Sequence, residues 1–264
     1  MLNDKSAPIL KVENLKFSYG DNFSIRNVTF SVSKGTFFGI IGPNGSGKTT
    51  LLSLIMKFLR PHEGRITVNG LDLKHLSPKL LAQNIAYIAQ DFNPSYDFTV
   101  EEIVEMASIA HNRTFNKSFF DSVVDEEALE QSLEIVNLLE MRKRQFSTLS
   151  GGQQRRVLIA RAFYQKTPII VADELTNHLD IGQAIKVMDY LKSLTSMGKT
   201  VIGTFHDITL AAKYCDQIVV MKNGEIVKNG TPLEVINERV ISELYGVNIK
   251  VLNHPDYNYP ILVI

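Results

Sequence analysis

Eight consecutive residues, Gly42-Pro43-Asn44-Gly45-Ser46-Gly47-Lys48-Thr49, bring glycines, a lysine and a hydroxyl together in the order a phosphate-binding loop uses. The glycines let the backbone wrap phosphate oxygens. At the start of the following helix, unpaired N–H groups and the helix dipole both favour an anion. Lys48 adds a mobile positive charge, and Thr49 offers a hydroxyl to magnesium. The same letters would also describe a plain glycine-rich turn. What separates the two is context: an apolar strand before the loop (Phe37 to Ile41) and an amphipathic helix after it, opening at Thr50 and running to Phe58. The expected ligand is a nucleoside triphosphate with Mg2+, gripped between Gly42 and Thr50.

A second apolar strand, Ile169-Ile170-Val171-Ala172, ends in Asp173-Glu174. Beside a phosphate loop, the first carboxylate suits the metal and the second suits an attacking water. Without such a loop, the pair would be an ordinary solvated strand end. A third strand, Thr200 to Thr204, leads to Phe205-His206-Asp207. Parallel strands would gather their C-terminal ends, where open α/β sheets bind ligands, and would bring His206 towards the terminal phosphate. Gln90, after the strand Ile85 to Ala89, poses the same question with a weaker signal.

Leu149-Ser150-Gly151-Gly152-Gln153-Gln154-Arg155-Arg156 opens a helix that runs to Tyr164. Ser150 is a favourable N-cap, and two glycines leave backbone N–H groups accessible, which makes a second anion-binding helix start without a lysine of its own. The plain alternative is a capped surface helix.

These groups need a scaffold. The opening third reads as short strands at Leu10 to Val12, Leu15 to Tyr19, Ser24 to Val32, Thr36 to Ile41 and Arg65 to Val68, with Val68-Asn69-Gly70 as a hairpin turn. Helical periodicity follows at Pro78 to Gln83, Val100 to Ile109, Glu126 to Leu139 and Gly152 to Tyr164. Strands and helices then alternate: Ile181 to Ser193, Ile208 to Lys213 and Gln217 to Met221 join those already named. Such alternation implies a mostly parallel sheet covered by helices. The polar, helical stretch from about Asp91 to Thr148, broken by a loop-like His111 to Ser118, reads as an insertion into that core.

The 264 residues carry 28 basic and 28 acidic side chains, so no global field favours nucleic acid, membrane lipid or an acidic partner. The single cysteine, Cys215, lies in an apolar stretch and reads as a small buried side chain in a reducing compartment. The first residues lack the pattern of a signal peptide, and no apolar run approaches membrane-span length. A cytoplasmic location is expected.

Taken in order, the motifs resemble those of ATP-binding cassette (ABC) ATPase subunits over nearly the whole chain. Tyr19 stands where that family has an adenine-stacking residue; the phosphate loop, Gln90, Leu149 to Gln153, Asp173, Glu174, Leu179-Asp180 and His206 follow. The resemblance implies an α/β P-loop NTPase core with a mostly parallel sheet, an N-terminal antiparallel β subdomain and an inserted α-helical subdomain. The chain would be one ABC ATPase domain: residues 1–90 and 160–240 form the nucleotide-binding core, 91–159 the helical subdomain and 241–264 a C-terminal extension.

It further implies ATP and Mg2+ as cofactors. Tyr19, Gly42 to Thr50 and Ser150 to Gln153 would bind nucleotide, Thr49, Gln90 and Asp173 would hold the metal, and Glu174, His206 and Gln90 would be catalytic. The implied partners are a second copy of the chain, paired head to tail, and polytopic permease subunits, with a solute-binding protein reached indirectly. The place implied is the cytoplasmic face of the cell membrane. Asn177-His178-Leu179-Asp180, the stretch from Ser150 to Arg156 and the tail from Tyr245 through His254-Pro255 to Pro260 resemble those of importer subunits for iron-siderophore, haem and cobalamin. A soluble ABC ATPase, for example one of iron–sulfur assembly, is the alternative. Leu175 stands where the family commonly has proline, and Glu105-Met106-Ala107-Ser108 departs from that branch in the segment expected to face the permease.

Overall fold

A computed structural model describes residues 7–20, 24–90, 92–110, 124–174, 176–177, 179–253 and 258–263. Leu175, His178, the loop expected at His111 to Ser118 and the His254-Pro255 pair lie outside the described residues. In chain order the elements begin with β1 (Leu10–Ser18), β2 (Ser24–Val32), β3 (Phe37–Ile41), α1 (Lys48–Ile55), β4 (Glu63–Val68), β5 (Leu71–Asp72), α2 (Pro78–Asn84) and β6 (Ile85–Ile88). Then come α3 (Val100–Glu105), α4 (Glu126–Ile135), α5 (Gly151–Tyr164), β7 (Ile169–Ala172), α6 (Ile181–Ser196), β8 (Thr200–Phe205) and α7 (Ile208–Tyr214). The chain closes with β9 (Gln217–Lys222), β10 (Glu225–Gly230), α8 (Pro232–Val235), α9 (Glu238–Tyr245), β11 (Lys250–Asn253) and β12 (Pro260–Val263).

The central sheet has the order β10-β9-β3-β8-β7-β6. All its pairings are parallel except β10 with β9. Its parallel strands β3, β6, β7, β8 and β9 are apolar runs because both faces are covered, and alternation sends successive side chains to different cores. Phe37, Ile41, Ile170, Ala172, Val201 and Phe205 enter one cluster with α3, α4, α5 and α6. Phe38, Ile40, Ile169, Val171 and Ile202 enter a second cluster with α1 and the antiparallel sheet β2-β1-β4-β5. Complete burial of each Val, Ile or Phe among them contributes about 1.5–3 kcal/mol.

Several expected boundaries differ: α1 stops at Ile55 instead of Phe58, β4 begins at Glu63 instead of Arg65, α6 runs on to Ser196 instead of Ser193, and three further differences have a visible local cause. The two short strands anticipated before Tyr19 are one strand, β1, whose register slips between Val12 and Phe17, with Asn14 at φ 46 absorbing the bulge. The helix from Val100 is α-helical only to Glu105 and then tightens to a 3-10 turn over Met106–Ala110. The helix from Glu126 stops at Ile135, and Asn137 turns the chain with φ 53. The Asn69-Gly70 turn is as expected, with φ of 50 and 76 joining Val68 to its partner Leu71. The elements after β9 lack an expectation in the sequence. Of these, the β11–β12 hairpin packs on α7.

Candidate functional site

Because β3, β8 and β7 are adjacent and parallel, the residues that follow them share one edge of the sheet. After β3 the backbone turns at Gly42, φ 156, where a Cβ would lie 2.3 Å from the Met221 carbonyl oxygen and 2.7 Å from Ser46 Oγ. Only glycine fits that approach. Gly45 (φ 75) and Gly47 (φ 103) complete the curl. Lys48 is buried inside it, with Nζ donating to the carbonyls of Gly42 at 2.8 Å and Pro43 at 3.2 Å. Burial holds this ammonium below the usual lysine pKa, and the charges of Glu174 and Asp173 pull the other way.

The loop borders a cavity of about 380 Å³ lined by Tyr19, Asn44, Gly45, Ser46, Gly47, Lys48, Thr49, Thr50 and Glu174. Two features fit it to an anion. Helix α1 starts at Gly47 with no side-chain cap, and the buried Ser46 Oγ has no hydrogen-bond partner among the described residues. Tyr19 lies just past β1, its ring edge-on to Phe17 at 4.7 Å.

Asp173 is almost wholly buried, at 1% exposure. Its carboxylate accepts from Thr204 Oγ1 at 2.5 Å, and the Thr49 hydroxyl also favours its charged form. Burial raises its pKa; the Thr204 bond opposes this, the Glu174 charge adds to it, and Thr49 and Lys48 oppose it again. Among the described residues no group of three or more His, Cys, Asp or Glu side chains could hold a metal. A cation here would take hard oxygens from Thr49 and Asp173 and the rest of its shell from its ligand and water. That donor set suits Mg2+.

Glu174 adopts φ 46, unusual for a residue with a side chain. Its N–H donates to Thr204 Oγ1 at 2.9 Å. His206 Nε2 contacts one carboxylate oxygen, and Asn177 Nδ2 donates to the other. The sheet edge thus unites the phosphate loop, Asp173, Glu174 and His206.

Gln90 and the second glycine pair lie elsewhere. Gln90 lines a separate cavity of about 190 Å³ together with Phe92, Asn93, Gly151, Arg155 and Asn177. At the start of α5, Ser150 Oγ accepts from the Gln153 N–H at 3.3 Å, while Gln153 Oε1 accepts from the Ser150 N–H at 2.9 Å. This reciprocal box satisfies two of the helix's free donors within the chain. Ser150, Gly151, Gly152 and Gln153 do not line the phosphate-loop cavity.

Sequence reasoning missed Thr204, Asn177 and Arg155. Arg155 donates to the Ala89 carbonyl at 2.5 Å and the Glu174 carbonyl at 3.3 Å, linking α5 to both strand ends. The available signal was polarity at the ends of apolar strands. It identifies Thr204 as a candidate without naming its partner.

The sequence profile of the family described as ABC transporter matches residues 25–177. YvrA of Bacillus subtilis, an uncharacterised ABC transporter ATP-binding protein, is 35% identical over 97% of this chain, which spans only 58% of YvrA's own length. The ferric enterobactin transport ATP-binding protein FepC of Escherichia coli is 31% identical over 98% of this chain and 95% of its own. The hemin import ATP-binding protein HmuV of Thermobifida fusca is 31% identical over 97% of this chain and 88% of its own. The cobalamin import ATP-binding protein BtuD of Halobacterium salinarum is 32% identical over 93% of this chain and 61% of its own. Among solved structures, a transporter ascribed to the metal-chelate type, in an inward-facing conformation, aligns with TM-score 0.83 and 28% identity over 97% of both chains. A dimeric ATP-binding cassette in a post-hydrolysis state, bound to ADP and Pi, aligns with TM-score 0.73 and 31% identity over 84% of this chain and 98% of its own.

Proposed function

The chain belongs to the ABC transporter family, and from that membership we propose that it is the ATP-hydrolysing subunit of an importer for iron-siderophore, haem or cobalamin-like cargo. The observation that carries the ATPase reading is the shared sheet edge: an uncapped helix start with a buried lysine, next to a buried aspartate and a glutamate. In this reading Gly42, Pro43, Asn44, Gly45, Ser46, Gly47, Lys48, Thr49 and Thr50 bind the triphosphate, and Tyr19 stacks on the base. Thr49 and Asp173 would hold Mg2+, whose charge offsets that on the phosphates, and Gln90, which lines the separate cavity in this structure, would join them only after moving towards the phosphate loop. Glu174 orients water and takes its proton, and His206 holds the terminal phosphate. Each Glu174 oxygen has one partner in this structure, His206 on one and Asn177 on the other, and each keeps a second lone pair that can accept from a water.

The dimer is the second half of the reading. Ser150, Gly151, Gly152 and Gln153 lie outside the phosphate-loop cavity of their own chain. They serve the cavity of a second copy, paired head to tail, as the dimeric state of the ADP-bound cassette suggests. Closure on ATP and opening after hydrolysis follow from holding one ligand between two chains.

The transport half of the reading rests on relatives named for ferric enterobactin, hemin and cobalamin. No described helix is long and apolar enough to cross a membrane. In this reading the partner is a polytopic permease, met at the cytoplasmic face. The helical segment 91–159 would meet it, with the exposed Tyr96 in the contact. Co-purification in detergent with a polytopic permease encoded beside this chain tests the transport reading. ATP hydrolysis should rise when permease and loaded solute-binding protein are reconstituted with it. A chain recovered only in soluble complexes, with hydrolysis indifferent to permease, overturns it.

A further inference from the structure

Thr204 stands one residue beyond the last register pair between β7 and β8, Ala172 with Gly203, and therefore beside Asp173. It is 3% exposed, so water cannot replace what its hydroxyl does. A threonine hydroxyl has one proton and two lone pairs, and β-branching restricts its χ1. Here the proton goes to Asp173 Oδ1 at 2.5 Å, and a lone pair takes the Glu174 N–H at 2.9 Å. One rigid side chain on β8 thus binds two consecutive residues of the neighbouring strand end. One bond sets the direction of the Asp173 carboxylate. The other is made by the residue whose backbone is in the left-handed region, and that turn carries the Glu174 side chain away from Asp173 towards His206.

We propose that Thr204 is a positioning residue for the metal-dependent reaction: its single hydroxyl fixes the Asp173 carboxylate for the cation and the Glu174 backbone for the water, coupling the two. The inference rests on reading Asp173 as metal ligand and Glu174 as base. A merely structural hydroxyl would affect folding alone. A positioning hydroxyl affects how tightly the cation is held.

The test compares Thr204→Val, which keeps the shape and removes both bonds, with Thr204→Ser, which retains the hydroxyl. Binding of Mn2+ to the ADP-loaded chain is followed by electron paramagnetic resonance, and the Mg2+ dependence of ATP hydrolysis is measured in parallel. Thr204→Val is expected to weaken Mn2+ binding roughly 10–100-fold, the usual loss when a supporting group behind a metal ligand is removed. The half-saturating Mg2+ concentration should rise with it, and Thr204→Ser should restore most of both. Unchanged Mn2+ affinity in a folded Thr204→Val protein overturns the proposal. If that variant folds poorly, Thr204→Cys, with its weaker donor, takes its place, and affinity equal to wild type is again the overturning result. Asp173→Asn separates the two readings. If it leaves Mn2+ binding intact, the metal assignment of Asp173 fails. If it abolishes binding while Thr204→Val does not, only the role of Thr204 fails.

Discussion

Helices α1 and α5 both begin at glycines, and the chain treats the first N–H groups of each differently. At α1, Gly47 is the N-cap, no side chain caps the helix, and a buried lysine sits in the loop. At α5, Ser150 and Gln153 cap each other and no lysine is present. The first start has no side chain to satisfy its free N–H groups, an arrangement that an anion would complete. The second is self-sufficient in the free chain. An anion there must compete with Gln153 and Ser150 for their mutual bonds, so binding is conditional. That difference suits a cradle that binds ATP alone and a clamp that engages only when a second copy presents its ligand.

The largest effect should come from stopping the chemistry while leaving both helix starts intact. Glu174→Gln removes the base and is expected to slow hydrolysis about 10²–10⁴-fold. It should also accumulate an ATP-bound dimer on size-exclusion chromatography. A dimer that fails to form would break the assignment of α5 as a clamp, and near wild-type hydrolysis would break that of Glu174. Next in size is Lys48→Ala. Losing a charge-assisted bond worth about 1.5–3 kcal/mol should weaken ATP binding roughly 10–100-fold in the isolated chain, measured by fluorescent-nucleotide titration. An equal loss on changing α5 would erase the distinction between the two starts.

The comparison also shows what was legible in the sequence. The α1 cradle was readable because its chemistry and its context coincide: the motif lies between an apolar strand and a helix, and each of β3, β7 and β8 is buried on both faces. Thr204, Asn177 and Arg155 were not readable, since their bonds cross between elements and depend on register. Nothing in Thr200 to Phe205 alone says that Thr204 faces Asp173. Gln90 illustrates the same limit, because the backbone carries it to the cavity beside Gly151. β10 escaped notice for a different reason. Its residues are mostly exposed, so it lacks the apolar alternation that marks a half-buried strand.

A smaller effect is expected for Ser150→Ala. Loss of an N-cap costs about 0.5–2 kcal/mol, which lowers Tm by roughly 2–4 °C per kcal/mol in a chain of this size. ATP binding by the isolated chain should hardly change, because Ser150 does not line the phosphate-loop cavity. A large loss of monomer affinity would show that the two starts share one site.

The smallest change in stability, and the sharpest separation of fold from function, should come from Gly151→Ala. A Cβ at Gly151 would meet nothing within 4 Å, whereas one at Gly152 would come within 2.7 Å of Gln183 Oε1. Gly151 is also the first residue of α5, where alanine is the better helix former by at most about 0.5–1 kcal/mol. The free chain has no use for a glycine there, so Gly151→Ala should leave Tm unchanged or slightly raised and leave ATP binding intact. If a second copy brings its nucleotide against this helix start, the added methyl occupies the approach. Dimerisation in the Glu174→Gln background should then weaken although the protein has become no less stable. A variant that dimerises as well as its parent would mean that no ligand comes close to Gly151, and α5 would return to the status of a capped surface helix.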